Sequence, residues 1–298
     1  MIQGSLVALA TPFTDADEVD YGALERLIDF HCEAGTDGLV IAGTTGESAT
    51  LLKEEHAELV RRSVELADGR IRILAGTGSN STRQTLALSQ AVDGAGIDGF
   101  LMVVPYYNKP TQEGMFRHFS TVADAVSKPV MLYNVPGRTS SDLLPETVAR
   151  LAAHERIFGI KDATGDIRRL QAMQAVCPAD FRYFSGDDFT SADFLLGGGH
   201  GVVSVTANVA PALMAELCRA AAAGDEATVR EIDARLQPVN KAMFLESNPI
   251  PVKWALHRMG FMGTGIRLPL TPLDARFRQQ VDEALKGAGI MSGAETNE

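Results

Sequence analysis

The sequence predicts a (β/α)8 TIM barrel, an α/β fold, followed by a C-terminal helical extension. Short β-branched runs alternate with longer amphipathic segments, eight such units fit within roughly 220 residues, and the pattern after Val205 is helical only. Strands that alternate with helices imply a parallel sheet with right-handed crossovers. Eight units of this kind favour a closed barrel over an open doubly wound sheet.

The predicted strands are short and apolar, as expected for strands that are buried on both faces. They span residues 6–12, 38–42, 71–77, 99–105, 129–135, 157–162, 183–186 and 201–205. Apolar residues at helical spacing predict helices at 21–34, 53–67, 82–95, 112–125 and 144–153. Asp20, Thr111 and either Asn80 or Ser81 stand at N-cap positions of these helices.

The predicted domain organisation is a catalytic barrel at residues 1–224 and a C-terminal helical region at 225–298. Helices are expected at 210–223, 226–245, 251–259 and 273–286. The small and polar final stretch, 287–298, is expected to fray.

Composition excludes several classes of protein. The formal net charge is −11, so no nucleic-acid partner or anionic membrane surface is expected, because such surfaces need a basic patch. No apolar run approaches the ~20 residues of a membrane span, and the N-terminal segment lacks the basic region of a signal peptide. Cys32, Cys177 and Cys218 lie far apart with no CxxC pair, which indicates reduced thiols and a cytoplasmic location.

Lys161 is the most informative residue, because it interrupts an apolar strand at the end of the barrel where active sites lie. Burial disfavours a charged amine, and a neutral amine can attack a carbonyl carbon to form a Schiff base. The alternative is a buried lysine paired with a carboxylate such as Asp162. A strand alternates faces, so Gly159 is expected to point the same way as Lys161 and to leave room beside the amine.

Other polar side chains follow neighbouring strands, and each one taken alone has a structural explanation as well as a functional one. Tyr133 can relay protons or simply cap the barrel mouth. Thr44 and Thr45 lie in a Gly-Thr-Thr-Gly turn that can hold a carboxylate, although turns often contain such residues. Arg138 offers two parallel hydrogen bonds to a carboxylate, or is a solvated loop arginine.

Two further pairs of residues give weaker signals. Tandem tyrosines such as Tyr106 and Tyr107 are more often packing or interface residues than catalytic ones. Asp187 and Asp188 suggest a metal, but no third ligand accompanies them at a diagnostic spacing. The chain also lacks an HExxH motif, a phosphate-loop motif and a strand-linked GxGxxG motif, so we expect neither a metal nor a nucleotide cofactor.

Taken together, the motifs resemble the dihydrodipicolinate synthase/N-acetylneuraminate lyase family. They are GTTGES at 43–48, YNVPGRT at 133–139, GIKDATGD at 159–166, SGDD at 185–188, SVTANV at 204–209 and NPIPVKWAL at 248–256. Their order and spacing fit the family from the first strand to about residue 285.

The resemblance implies a cofactor-independent lyase in which Lys161 forms an imine with pyruvate. Tyr133, Thr44 and Tyr107 would relay protons, and Tyr107 would do so in the active site of a partner subunit. This arrangement implies at least a dimer, and the usual assembly in the family is a homotetramer made of two tight dimers.

The resemblance also implies a substrate pocket for two carboxylates. Thr45 would bind the carboxylate of pyruvate, Arg138 would hold that of aspartate semialdehyde, and Gly186 and Val203 would shape the pocket. Arg138 favours a short aldehyde acid over the sugar chains taken by N-acetylneuraminate lyases or 2-keto-3-deoxy sugar-acid aldolases. Those lyases, a non-catalytic homologue that binds a keto acid, and a metal-dependent aldolase remain the alternatives.

Family members inhibited by lysine bind it at the interface of the tight dimer. The matching positions are Ser48, Ala49, Lys53, His56, Asn80, Gln84 and Tyr106. Lys53 stands where a histidine is common, and Gln84 where a glutamate is common. A neutral amide loses a charge-assisted contact to an ammonium group, so we expect weak or absent inhibition by lysine.

Overall fold

The computed structural model describes residues 2–291 and contains a closed barrel of eight strands in sequence order. The strands are β1 (Gly4–Ala8), β2 (Gly38–Ile41), β3 (Arg72–Gly76), β4 (Gly99–Val103), β5 (Val130–Asn134), β6 (Ile157–Asp162), β7 (Arg182–Ser185) and β8 (Gly201–Ser204). All neighbours are parallel, and β8 pairs with β1. The predicted fold class is therefore confirmed.

The predicted strand bounds hold least well for β1, which ends four residues before residue 12. The reason is a side chain that takes the place of a strand partner. Ala10 donates its backbone N–H to Asn208 Oδ1 at 3.0 Å, and Asn208 Nδ2 donates to the Ala8 carbonyl at 2.9 Å. This buried amide also joins the end of β1 to the segment that follows β8, and so helps to close the barrel.

The helices cross between strands and cover the barrel. They are α1 (Tyr21–Glu33), α2 (Lys53–Ala67), α3 (Thr82–Val92), α4 (Gln112–Asp124), α5 (Pro136–Thr139), α6 (Pro145–Ala152), α7 (Ile167–Val176), α8 (Ser191–Leu196), α9 (Pro211–Ala222), α10 (Glu226–Ala242), α11 (Ile250–Arg258) and α12 (Ala275–Gly287). Asp20, Ser81 and Thr111 each accept a backbone N–H as N-caps.

Three of these helices were not identified by periodicity. Helices α5 and α8 have only four and six residues, which is too short for a helical pattern to emerge. Helix α7 is longer, but only Leu170 and Met173 on it are buried. Its apolar stripe is correspondingly weak.

Two apolar layers separate along each strand, because successive side chains point to opposite faces. Leu101, Met131 and Phe184 belong to the layer inside the barrel, whereas Ile160 packs between the strands and the helices. Lys161 follows Ile160 and therefore points inward. It lies opposite Tyr133 in the register of β5 and β6.

The C-terminal helices hold the loop that follows β2. Lys253 on α11 is buried and forms a short ion pair with the buried Glu47. The backbone N–H of Arg267 donates to the other Glu47 oxygen at 3.0 Å, and the Arg267 guanidinium donates twice to Glu55 at 2.6 Å. Lys253 Nζ and the Arg267 guanidinium lie 4.4 and 4.2 Å from the centre of the Phe13 ring.

Among residues 2–291, no helix combines the length and the apolar character needed to cross a bilayer. Residue 1 and residues 292–298 lie outside the described part of the chain. The predicted fraying of the final stretch therefore falls mostly on residues that are not described, while α12 itself reaches Gly287.

Candidate active site

Lys161 lies buried inside the barrel, with 4% of its surface exposed, and its Nζ is 4.2 Å from the centre of the Tyr133 ring. The pKa of Lys161 is lowered to about 7: burial lowers it most, the negative charge of Asp188 opposes the shift, and the positive charge of Arg138 assists it. A large fraction of the amine is therefore neutral near pH 7 and can act as a nucleophile.

Asp162 does not serve as the partner of Lys161. Its carboxylate accepts hydrogen bonds from Asn134 Nδ2 at 3.1 Å and from the Thr164 backbone N–H at 3.0 Å, and also from the Thr164 hydroxyl. The structural alternative of a Lys161–Asp162 pair is therefore not what the chain adopts.

The space beside the amine comes from Gly186 on the loop after β7. A Cβ at this position would lie 2.7 Å from Lys161 Cε and 2.9 Å from Ala163 Cβ, which is too close for real atoms. The expectation that Gly159 leaves this room was wrong. A Cβ at Gly159 would instead meet the Arg182 carbonyl oxygen at 2.6 Å, because this glycine faces the backbone of β7.

Tyr133 is a buried phenol on the strand next to Lys161. Burial raises its pKa above the usual range, while the charge of Arg138 and the hydroxyl of Thr44 act in the opposite direction. The phenol therefore keeps its proton at neutral pH. It can donate that proton to a group on the lysine and recover it later.

A cavity of about 120 Å³ opens at the C-terminal end of the barrel around these groups. The predicted site residues that line it are Thr44, Thr45, Tyr133, Arg138, Lys161 and Gly186. Other lining residues, among them Val205, Phe244 and Asn248, had no predicted role. Val203 lies deeper, in the apolar layer inside the barrel, and Val205 occupies the wall instead.

Tyr107 does not line this cavity in its own chain. Its side chain is 89% exposed on the loop after β4, and its φ of 73° lies in the left-handed region that few non-glycine residues adopt. Its own chain therefore leaves this large aromatic ring largely uncovered at a strained backbone position.

Asn248 joins the C-terminal region to two of the predicted substrate-binding groups. Its Nδ2 donates to Thr45 Oγ1 at 2.9 Å, and its carbonyl oxygen accepts from Arg138 Nη2 at 3.3 Å. Asn248 is the first residue of the NPIPVKWAL motif, but no role was predicted for it. Its contacts join positions 110 and 203 residues apart, and no sequence pattern carries such information.

A second and larger cavity, of about 680 Å³, lies beside the first. The predicted effector residues that line it are Ser48, Ala49, Lys53, His56, Gln84 and Tyr106. Asn80 is not part of this wall; its carbonyl accepts from Asn108 Nδ2 at 2.8 Å. Thr44, Val135 and Arg138 line both cavities.

Asp187 and Asp188 have structural partners. Asp187 Oδ2 accepts from the hydroxyl of Thr190 at 2.7 Å. Asp188 Oδ2 accepts the backbone N–H groups of Val205 and Thr206 at 2.9 and 3.0 Å. Among residues 2–291, no cluster of three or more His, Cys, Asp or Glu side chains is arranged to hold a metal ion.

A lysine amine held partly neutral at the C-terminal end of a barrel strand, beside a protonated phenol, defines a class I lyase that bonds covalently to a carbonyl substrate. The chain matches the dihydrodipicolinate synthetase family over residues 1–288. It belongs to this family.

Proteins similar to this chain match it over nearly its full length. A 4-hydroxy-tetrahydrodipicolinate synthase of Methylococcus capsulatus is 56% identical and one of Pseudomonas aeruginosa 53%, each over 98% of this chain and all of the relative. The chloride-inhibited dihydrodipicolinate synthase of Acinetobacter baumannii, solved with pyruvate, is 48% identical with a TM-score of 0.96, and the match covers 98% of this chain and all of that one.

A further similar structure is described as a monomeric variant of dihydrodipicolinate synthase. It is 40% identical, with a TM-score of 0.95 over 97% of this chain and 98% of its own. The fold alone therefore does not determine the assembly.

The lowered pKa of Lys161 predicts a pH profile. Because only the neutral amine attacks, the initial rate of cyanoborohydride trapping at low pyruvate should rise with pH through about 7 and then level off. Arg138→Met removes a charge that lowers this pKa, so its curve should move to higher pH. Arg117→Met, on the exposed face of α4, is the control and should not move it. A midpoint near 10.5, the ordinary lysine value, would contradict the assignment.

Proposed function

We propose that this chain condenses pyruvate with aspartate semialdehyde to give 4-hydroxy-tetrahydrodipicolinate, in lysine and diaminopimelate biosynthesis. The observation that carries the proposal is the partly neutral amine of Lys161 in a small cavity walled by Thr45 and Arg138. Two groups suited to binding carboxylates in the same cavity as one nucleophile fit two acidic substrates. The names of relatives more than 50% identical over the whole chain support the same reaction.

The first half of the reaction makes a carbon nucleophile from pyruvate. Lys161 Nζ attacks C2 of pyruvate, and the carbonyl oxygen leaves as water after taking up protons. The resulting imine loses a proton from C3 and becomes an enamine. Tyr133 is placed to supply and recover these protons, because its phenol lies against the lysine and remains protonated.

The second half forms the carbon–carbon bond and releases the enzyme. The enamine carbon attacks the aldehyde carbon of aspartate semialdehyde, whose oxygen takes up a proton and becomes a hydroxyl group. The amine of that substrate then attacks the imine carbon and displaces Lys161 as a free amine. Ring closure therefore restores the nucleophile without a separate hydrolysis step.

Substrate recognition divides between two residues that line the cavity. Thr45 holds the pyruvate carboxylate through its hydroxyl, and Arg138 holds the carboxylate of the aldehyde through its guanidinium. Gly186 admits the lysine chain beside the substrate, and Val203 supports the cavity from the layer below.

Tyr107 acts in the active site of a neighbouring subunit, together with Tyr133 and Thr44. An aromatic ring that is 89% exposed and held by a left-handed backbone supports an interface role over a packing role. The smallest complete enzyme is then a dimer, and a homotetramer made of two dimers is the full assembly.

The protein acts in the cytoplasm, and its chain divides into a barrel and a C-terminal helical region. The three cysteines are free thiols, which suits a reducing cytoplasm. The barrel ends at residue 224, and the helices from 225 onward act as a region that holds the β2 loop from outside.

Replacing Lys161 by Ala tests the reaction itself. Turnover of pyruvate and aspartate semialdehyde, followed through a downstream reductase that consumes NADPH, should fall at least about a thousandfold. Lys241→Ala, an exposed lysine on α10, is the matched control and should keep full activity. A native protein that traps pyruvate on Lys161 but gives no turnover would instead be a sugar-acid lyase.

Mixing two inactive variants tests the shared active site. In a Lys161→Ala/Tyr107→Phe heterodimer, one site keeps both native residues, so equal mixtures should recover about a quarter of native activity. The mixture must first be dissociated and then reassembled. Activity no greater than the average of the separate variants would place Tyr107 outside the partner's site.

The larger cavity predicts weak or absent inhibition by lysine. Lys53 repels the ammonium groups of lysine, and the neutral Gln84 offers them no charge. Gln84→Glu combined with Lys53→His should strengthen inhibition by about tenfold or more. Gln90→Glu, exposed on the same helix, adds an equal charge outside the cavity and should have no effect. Strong inhibition of the native protein would refute this account.

A further inference from the structure

We propose that Asn248 is a positioning residue that presents the Thr45 hydroxyl as a hydrogen-bond donor to the pyruvate carboxylate. This inference rests on the proposed function, because it deepens the role of Thr45 there. It assigns part of substrate selection to the C-terminal helical region rather than to the barrel.

The contact is buried and specific. Asn248 is 5% exposed and Thr45 is 1% exposed, and the bond from Asn248 Nδ2 to Thr45 Oγ1 measures 2.9 Å. Asn248 also lines the 120 Å³ cavity that contains Lys161. Asn248 Oδ1 has no hydrogen-bond partner among the described residues, so the bond to Thr45 is the one that its amide makes there.

The direction of this hydrogen bond determines what Thr45 can do. A hydroxyl has one proton to donate and two lone pairs that accept. Because the amide N–H donates to Thr45 Oγ1, the hydroxyl proton is left free to point elsewhere. A carboxylate only accepts, so Thr45 in this state matches pyruvate, whereas a neighbour that accepted the proton would remove the match.

The same residue acts on the second substrate through a different atom. The carbonyl oxygen of Asn248 accepts from Arg138 Nη2 at 3.3 Å, and this contact is independent of the side chain. Side-chain substitutions at Asn248 should therefore affect pyruvate far more than the aldehyde. This difference separates a positioning role from general damage to the cavity.

The C-terminal region holds Asn248 in place through a neighbouring contact. Helix α11 begins two residues after Asn248 and carries Lys253, whose buried ion pair with Glu47 lies two residues beyond Thr45. The β2 loop and the start of α11 are thus joined at two points. The geometry between Asn248 and Thr45 does not depend on a single hydrogen bond.

The test compares a ketone that has a carboxylate with one that lacks it. Cyanoborohydride trapping on Lys161 is measured for pyruvate and for acetone in the native protein, Asn248→Ala and Asn248→Asp. The half-saturating pyruvate concentration should rise about tenfold in Asn248→Ala. It should rise further in the isosteric Asn248→Asp, whose carboxylate takes the Thr45 proton and repels the substrate. Trapping of acetone should not change in Asn248→Ala, which adds no charge to the cavity.

Two further measurements distinguish positioning from structure. Thr45→Val with Asn248→Ala should weaken pyruvate binding no more than Thr45→Val alone, because the two residues act through one contact. In Asn248→Ala, the KM for aspartate semialdehyde should change less than about threefold. Asn240→Ala is the matched control: it removes a buried amide that donates to the Asp188 carbonyl at 3.0 Å, away from Thr45, and should leave the preference for pyruvate over acetone intact.

Parallel loss of pyruvate and acetone trapping, or additive effects in the double variant, would overturn the proposal. Trapping requires no aldehyde substrate, so a protein that fails to condense the two substrates can still show the expected selective loss of pyruvate trapping. A native protein that traps no pyruvate would instead reject the proposed function together with this inference.

Discussion

The active site depends on one lysine amine that stays partly uncharged inside the protein. Lys161 lies in the apolar interior of the barrel, where removal from water disfavours the protonated amine. Arg138 adds a second positive charge nearby. Asp188 opposes this shift, but its carboxylate is already engaged by two backbone N–H groups. The balance leaves the pKa of the amine at about 7 rather than at the ordinary lysine value of 10.5.

A second constraint is the shape of the loop after β2. Glu47 has a φ of 57°, a left-handed conformation that costs about 1–3 kcal/mol for a residue other than glycine. Its carboxylate is fixed by Lys253 and by the Arg267 backbone, both from the C-terminal region. A buried ion pair adds little net stability, but removing either partner leaves an isolated charge, so the pair enforces one arrangement. That arrangement sets the position of Thr44 and Thr45.

The sequence predicted the barrel well because its information is local. Strand β6 has the predicted bounds, and Asp20 and Thr111 cap the helices that they were expected to cap. The placement of Lys161 and Tyr133 on one inward face followed from strand alternation and register. What could not be predicted depends on contacts between distant segments. Asn248, for example, reaches Thr45 across 203 residues.

The same limit explains the errors in detail. Gly159 and Gly186 are both close to Lys161 in the fold, but only the packing of β7 reveals which one faces the amine. Val203 and Val205 are two residues apart, so an extended strand would point both to the same face. Strand β8 ends at Ser204, however, and Val205 lines the cavity from the segment that follows. Patterns within a strand fix the face of a residue, but not the layer at which it lies.

The wall between the two cavities has a thermodynamic consequence. Because Thr44, Val135 and Arg138 belong to both, an occupant of the larger cavity that shifts any of them changes the affinity of the smaller one for its substrates. Linkage makes this coupling reciprocal: a bound substrate alters the affinity for that occupant by the same factor. Coupling of this kind would apply to any small molecule whose binding shifts the shared wall, whatever its chemical class.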